Sequence, residues 1–296
     1  MRIERREFIQ SSAAAALAAL FGLRGERLAA LPALVEEQGL KIAGCDWSLG
    51  KEGDLGAFDL AKAAGLDGVE VSCGKAPAGG KLPLTDPERQ RKYLEASKAN
   101  GLPIASTCLE ILHRDGLKDH PDAPRWIAQA IEPTKALGAG VILLPLFSKQ
   151  AIEKRSEQEA VAARLKDLAP EARKAGVVLG LENTISAKDN GWILDQVKSS
   201  AVQVYYDVGN SHRWKHDIYR EVEWLGKDRV CSIHLKDQGY LGEGAIDFPR
   251  FLETVLKSGY RGWLVLETRI VKKAKEDFKR NAEFVRGILN SEKKAK

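Results

Sequence analysis

The chain has 296 residues, is 44% hydrophobic and 29% charged, and carries a formal net charge of +5, so it can bury the core of one large domain. So weak and dispersed a positive excess excludes the basic stripe of a nucleic-acid-binding surface. Beyond the N-terminus no apolar run reaches the roughly 18 residues of a membrane-spanning helix.

Residues 1–33 are expected to be an export signal and not part of the fold. Arg5-Arg6-Glu7-Phe8-Ile9 precedes an apolar run at 13–23, which has signal-peptide length. The arginine pair ahead of Phe8 has the form of a twin-arginine signal read by the Tat translocon, which places the protein in the periplasm or otherwise outside the cytoplasm. Leu28-Ala29-Ala30 and Leu31-Pro32-Ala33 are both imperfect cleavage sites, so an uncleaved, membrane-tethered form is the alternative. Without residues 1–33 the chain keeps 41 basic and 38 acidic residues, a net charge of +3.

From Lys41 onward short apolar runs alternate with amphipathic helices. The predicted elements begin with a strand at 41–46, a helix at 55–64 closed by Gly65, and a strand at 68–72. A Gly/Pro-rich loop at 74–84 is long enough to be a lid. The next helix has Thr85 as its N-cap with Glu88 three residues on, and Gly101 just past its end. A strand at 103–109 leads to a helix at 124–137, which carries Trp126, Ala130, Pro133 and Leu137 on one side and is expected to kink at Pro133. After a strand at 141–147, Ser156 and Glu159 predict a capping box, and Val161, Leu165, Leu168 and Ala172 repeat at helical spacing. Strands at 177–182, 202–207, 230–237 and 263–267 follow, separated by helices near 191–198, 215–225 and 248–257. The last helix carries Phe278, Ala282, Val285 and Leu289 on one face, so its many lysines are a solvated surface.

Eight strand-helix alternations without a second domain argue for a single-domain α/β fold over residues 34–296, the (β/α)8 or TIM barrel. A doubly wound open sheet is the runner-up. It would normally show a glycine fingerprint after its first strand, and Gly44-Cys-Asp-Trp-Ser-Leu-Gly50 is not GxGxxG. Cys45, Cys73, Cys108 and Cys231 lie in or at the end of predicted strands and form no CxxC pair. Buried thiols are the expected reading, and oxidising conditions leave a Cys45–Cys73 bridge open.

The last four predicted strands deliver Glu182, Asp207, His234 and Glu267 to their C-terminal ends, where barrel active sites lie. Three carboxylates with one imidazole make a hard, oxygen-rich set that suits Mn²⁺ or Mg²⁺, while Co²⁺ and Zn²⁺ are allowed by ligand type. Strand alternation puts Lys236 on the face of His234, where it can polarise a substrate oxygen or pair with a carboxylate. Trp47, just beyond the first strand, can stack on the face of a bound substrate or fill the barrel rim. Glu70, Glu110 and His113 are read as ordinary rim residues. No HExxH, GxSxG or phosphate-binding GxxxxGK[ST] occurs.

Gly180-Leu-Glu182-Asn183, Tyr206-Asp207-Val-Gly-Asn210, Ile233-His234-Leu-Lys236-Asp237, Leu241-Gly-Glu-Gly244 with Ile246-Asp247-Phe248, and Leu266-Glu267 give the chain its resemblance to the xylose isomerase-like barrels of the sugar phosphate isomerases and epimerases. The resemblance runs from about Lys41 to the final helix. It implies that Glu182, Asp207, His234 and Glu267 bind the metal and that Glu182 and Glu267 also move the proton. It further suggests a substrate contact for a histidine after the sixth strand, here His212. The chemistry implied is proton abstraction next to a carbonyl through a metal-stabilised enediolate, giving epimerisation, aldose-ketose isomerisation or, with loss of a β-hydroxyl, dehydration.

The leading expectation is therefore a metal-dependent sugar isomerase or epimerase acting on a small-molecule sugar. Export favours a free or keto sugar, or a glycoside, over a sugar phosphate. A keto-polyol or keto-sugar dehydratase is the alternative on the same site, and a non-catalytic sugar-binding barrel is a third. An endonuclease IV-like nuclease would need more than the five histidines present. No nucleic-acid partner is expected, and association into homo-oligomers is left open.

Overall fold

Strand and helix alternate because apolar β-branched runs, each too short for a helix, are separated by longer stretches of helical period. In the computed structural model these strands close on themselves. The structure describes residues 39–294 apart from Ala76 and Ala78; the expected export signal lies outside the described residues. The strands are β1 (Lys41–Cys45), β2 (Gly68–Ser72), β3 (Ile104–Cys108), β4 (Val141–Pro145), β5 (Val178–Glu182), β6 (Val202–Asp207), β7 (Val230–Leu235) and β8 (Trp263–Leu266). Each pairs in parallel with the next, and β8 returns to β1. This is the expected (β/α)8 barrel.

The helices are α1 (Gly56–Ala63), α2 (Pro87–Asn100), α3 (Ala123–Ala136), α4 (Arg155–Ala175), α5 (Ala187–Val197), α6 (Val208–Arg213), α7 (Ile218–Arg229), α8 (Phe248–Lys257) and α9 (Ala274–Lys294). Val69, Val71, Leu179, Leu181, Val204, Leu264 and Leu266 belong to the main core, where outward strand faces meet the helices. A separate cluster of Ala43, Cys45, Ala105, Cys108, Leu143, Tyr205 and Val265 fills the barrel interior. Gly180 belongs to that interior face: a Cβ there would lie 2.8 Å from Cys231 Sγ and 3.2 Å from Tyr205.

Helix starts differ from the sequence expectation by a residue or two. The cap of α2 is Asp86, whose carboxylate accepts from the Glu88 amide at 3.0 Å, and not Thr85, which ends a short 3-10 turn, Pro83–Thr85. Pro87 decides this, because a residue without an N–H suits the first helical position. Likewise α4 starts at Arg155, with Glu157 accepting from the Lys154 amide at 3.0 Å, so the Ser156–Glu159 box is not formed. Helix α3 continues through Pro133, and its Trp126, Ala130 and Pro133 are buried as expected. Phe278, Ala282 and Val285 of α9 are buried too. All four cysteines are free thiols. Among the described residues no helix is long and apolar enough to cross a membrane.

Candidate active site

Glu182, Asp207 and His234 end or nearly end β5, β6 and β7, and Glu267 follows β8 by one residue. Their period-two positions turn them all inward, and the register sets Asp207 beside His234. One donor atom from each falls within 4.8 Å of the others. His234 Nδ1 stands 2.9 Å from Glu182 Oε1, 3.6 Å from Glu267 Oε2 and 3.9 Å from Asp207 Oδ2. Glu182, Asp207 and His234 are buried, and Glu267 is partly open.

Asp207 serves two structures at once. Its Oδ1 accepts from the Asn210 amide at 2.8 Å and caps α6, which leaves Oδ2 facing the cluster. Gly209 makes room for what comes next, since a Cβ there would collide with Lys236 Cγ and lie 3.0 Å from the Lys236 carbonyl oxygen. Lys236 Nζ consequently reaches 2.6 Å from Asp207 Oδ2 and 2.5 Å from Glu267 Oε2. The approach to Asp207 is an ionic contact without hydrogen-bond direction, because Oδ2 is buried and has no directed hydrogen-bond partner.

These charges shift one another. Burial pushes the Asp207 carboxyl well above its usual range, the Lys236 ammonium opposes this, and Glu182 and Glu267 add to it. Burial also works to raise Glu267, but the His234 and Lys236 charges and hydrogen bonds from Lys236 and Trp47 outweigh it and bring it down to about 2. For Lys236 burial favours the neutral amine, and Asp207, Glu267 and Glu182 overcome it, so its pKa is raised.

Glu182 and Glu267 of the cluster, with Lys236, line a cavity of about 870 Å³ that is walled by Trp47, Glu110, His113, Phe147 and Trp214 among others. Trp47 Nε1 donates to Glu267 Oε1 at 3.3 Å, so this residue holds a site carboxylate as well as forming the rim. Lys236 is inside, as its alternation with His234 implied. His212 is not: it is exposed, while Asn210, Arg213 and Trp214 line the cavity. Helical spacing accounts for this, because Asn210 and Arg213 of α6 and Trp214 at its end stand at i, i+3 and i+4 and share a side that excludes His212 at i+2.

Two acidic residues read as ordinary rim residues are neither exposed nor ordinary. Glu70 is fully buried inside the barrel, 2.9 Å from His234 Nε2. Glu110 lines the cavity, accepts from the Gly74 amide at 3.2 Å, and burial raises its pKa to about 8. His113 also lines the cavity, stacked on Phe147 at 5.9 Å. The signal for Glu70 was present in Gly-Val-Glu-Val-Ser, where alternation puts the glutamate on the face opposite two valines.

The residues fit a divalent cation. The donor set is oxygen-rich and hard, its atoms lie about as far apart as ligands around one ion, and Asp207 Oδ2 lacks a directed partner. The other group of potential ligands among the described residues, Cys45, Glu70 and His234, shares the histidine and is wholly buried.

Comparison with known proteins agrees with this architecture. An L-ribulose-5-phosphate 3-epimerase, UlaE, of Salmonella paratyphi A is 28% identical over 232 residues, covering 70% of this chain and 79% of that protein. An L-ribulose 3-epimerase structure superposes with a TM-score of 0.70 at 17% identity, covering 86% of this chain and 96% of that one. The Escherichia coli 3-keto-D-glucoside 4-epimerase YcjR gives 0.68 at 19% identity, covering 84% and 99%. At such identities the two structures speak for the fold alone. The family model for xylose isomerase-like TIM barrels matches residues 58–288, most of the barrel, and the chain belongs to that family.

Proposed function

We propose that the protein is an isomerase-class enzyme, a divalent-metal-dependent sugar epimerase or isomerase in which Glu182 and Glu267 remove and return a proton next to a carbonyl. The observation that carries this reading is the convergence of Glu182, Asp207, His234 and Glu267 donor atoms within 4.8 Å, with Glu182 and Glu267 opening onto a cavity. These four would hold Mn²⁺ or Mg²⁺, which supplies Lewis-acid polarisation of a carbonyl and its neighbouring hydroxyl.

The chain's own groups do the rest. Glu267 is held by a donor on each oxygen, Trp47 Nε1 and Lys236 Nζ, which fixes the carboxylate plane, and its lowered pKa keeps it ionised. Glu182 lines the cavity while remaining almost buried, and positioned carboxylates of this kind contribute about 10²- to 10⁴-fold to proton transfer. Lys236 is poised to balance negative charge that develops on substrate oxygens.

A non-phosphorylated sugar, a keto sugar or its glycoside, is the preferred substrate. Of the cavity cations, Lys75 pairs with Glu52 at 2.7 Å and Lys236 with the cluster. Arg213 lines the cavity with no ion-pair partner among the described residues, whereas phosphate recognition usually draws on several convergent cations and amides. The Arg5-Arg6 motif supports work outside the cytoplasm, where sugar phosphates are scarce.

The test is proton NMR of the Mn²⁺-treated protein's products after incubation with keto sugars and aldoses in D₂O and metal removal. Deuterium is expected at a single carbon next to the carbonyl. Glu182→Gln should slow incorporation at least about 100-fold, and incorporation at the full rate in that variant overturns the assignment. Loss of water with deuterium in the product would instead identify the dehydratase.

A further inference from the structure

Glu70 is a buried ionisable group, in contact with the cluster histidine, that the proton-transfer reading leaves unused. It sits on β2, while His234 is on β7, with β8 and β1 between them around the ring. Their side chains meet across the barrel interior. Glu70 Oε1 accepts from Ser106 Oγ at 2.8 Å, and Oε2 accepts from Cys45 Sγ at 3.4 Å and lies 2.9 Å from His234 Nε2. Both side chains are fully buried. A carboxylate so placed has a large desolvation cost that an apolar residue would avoid, and its interior neighbours Ala43, Cys45 and Val265 are small or apolar.

The contacts define a direction. Ser106 and Cys45 both donate to Glu70, so the carboxylate acts as an acceptor, and the imidazole must present N–H at Nε2. Without an ion both ring nitrogens face a carboxylate at 2.9 Å, Nε2 that of Glu70 and Nδ1 that of Glu182; an ion at the cluster would take the place of the hydrogen on Nδ1, and the neutral tautomer left is the one with N–H at Nε2. Ring neighbours limit the alternatives: Tyr205 is 4.6 Å away at 57° and Trp47 is 6.1 Å away at 72°. They wall the imidazole without choosing which nitrogen carries hydrogen. With an ion on Nδ1, Glu70 would be the acceptor that holds the remaining hydrogen on Nε2.

We propose that Glu70 is the positioning residue of His234, holding Nε2–H from inside the barrel so that the Nδ1 lone pair is presented to a divalent ion at the carboxylate cluster. This rests on the metal reading above. A Glu70 that merely stabilised the barrel would alter unfolding and leave ion affinity and the imidazole signature unchanged.

The experiment uses the full-length chain without sugar. Mn²⁺ affinity is measured by titration calorimetry, and the His234 imidazole is followed by two-bond ¹H–¹⁵N correlation in Mg²⁺-loaded protein. Glu70→Met fills the space and removes the acceptor; it is expected to weaken Mn²⁺ binding about 10- to 100-fold and to lose the single Nε2–H, Nδ1-ligated pattern. Glu70→Gln keeps an acceptor carbonyl without charge and is expected to restore that pattern with a loss of only about 3- to 10-fold. Wild-type Mn²⁺ affinity in both variants overturns the proposal. If the Met variant does not fold, the Gln variant decides alone, and an affinity equal to wild type overturns it. Wild-type protein that binds no Mn²⁺ would remove the metal reading and this role together, whereas normal wild-type binding with indifferent variants removes the role of Glu70 only.

Discussion

Lys236→Met removes an ammonium that stands between two site carboxylates while keeping most of the side chain's apolar bulk. In the metal-free protein this leaves Asp207 Oδ2 and Glu267 Oε2, now 2.6 and 2.5 Å from Nζ, with His234 as their remaining cation. Removing one partner of a fully buried pair costs about 3–5 kcal/mol. A quarter of the Lys236 side chain is accessible, so solvent screens part of the loss, and about 2–3 kcal/mol is the expected effect. For a domain of this size that corresponds to a Tm roughly 4–12 °C lower. A divalent ion should reverse the loss, since a ligand at a hundredfold its Kd adds about 2.7 kcal/mol and the variant no longer places an ammonium among the ligands. The assay is calorimetric unfolding of metal-free and Mn²⁺-loaded wild type and variant at one pH. A metal-free variant that unfolds within about 2 °C of wild type, or one that Mn²⁺ does not restabilise while it stabilises wild type, refutes the electrostatic account.

Glu110 sets a pH dependence of stability. Burial raises its carboxyl from 4.5 to about 8, against a weaker opposing hydrogen bond from Ser72. The folded state therefore keeps a proton that the unfolded chain releases, and the stabilisation, present in full below pH 4.5, is lost as pH rises through 8. Urea unfolding at pH 6 and pH 9 should show a decline of a few kcal/mol that Glu110→Gln flattens; an equal decline in the variant counts against this. Gly209→Ala forces the backbone at Lys236 outward. Sugar deuteration is expected to fall about tenfold or more through mispositioning, with a stability loss of about 1–3 kcal/mol, and an unchanged rate would show that the site tolerates the shift.

Local chemistry wrote much of this protein into its sequence. Apolar runs too short for helices, alternating with helical periodicity, specify eight β/α units. An acidic or imidazole side chain at the C-terminal end of each of the last four strands specifies the floor of the site, because a strand's alternation and direction fix which face and which end each residue takes. Lys236 was legible on the same ground. Asp207 was legible as a member of the carboxylate cluster, but its capping of α6, and hence the face bearing Asn210, Arg213 and Trp214 in place of His212, required the helix phase that begins at that cap.

Closure of the barrel decided the remainder. Glu70 and His234 are 164 residues apart, and no periodicity within either strand names the other as its partner. The two meet only because β8 pairs with β1, which turns a polar position on the inner face of β2 into a buried neighbour of β7. The same closure gave Glu110 a place in the cavity wall and burial enough to shift its titration. Propensity and alternation act over a few residues, whereas burial and ionic contact depend on everything that surrounds a side chain once the ring is complete.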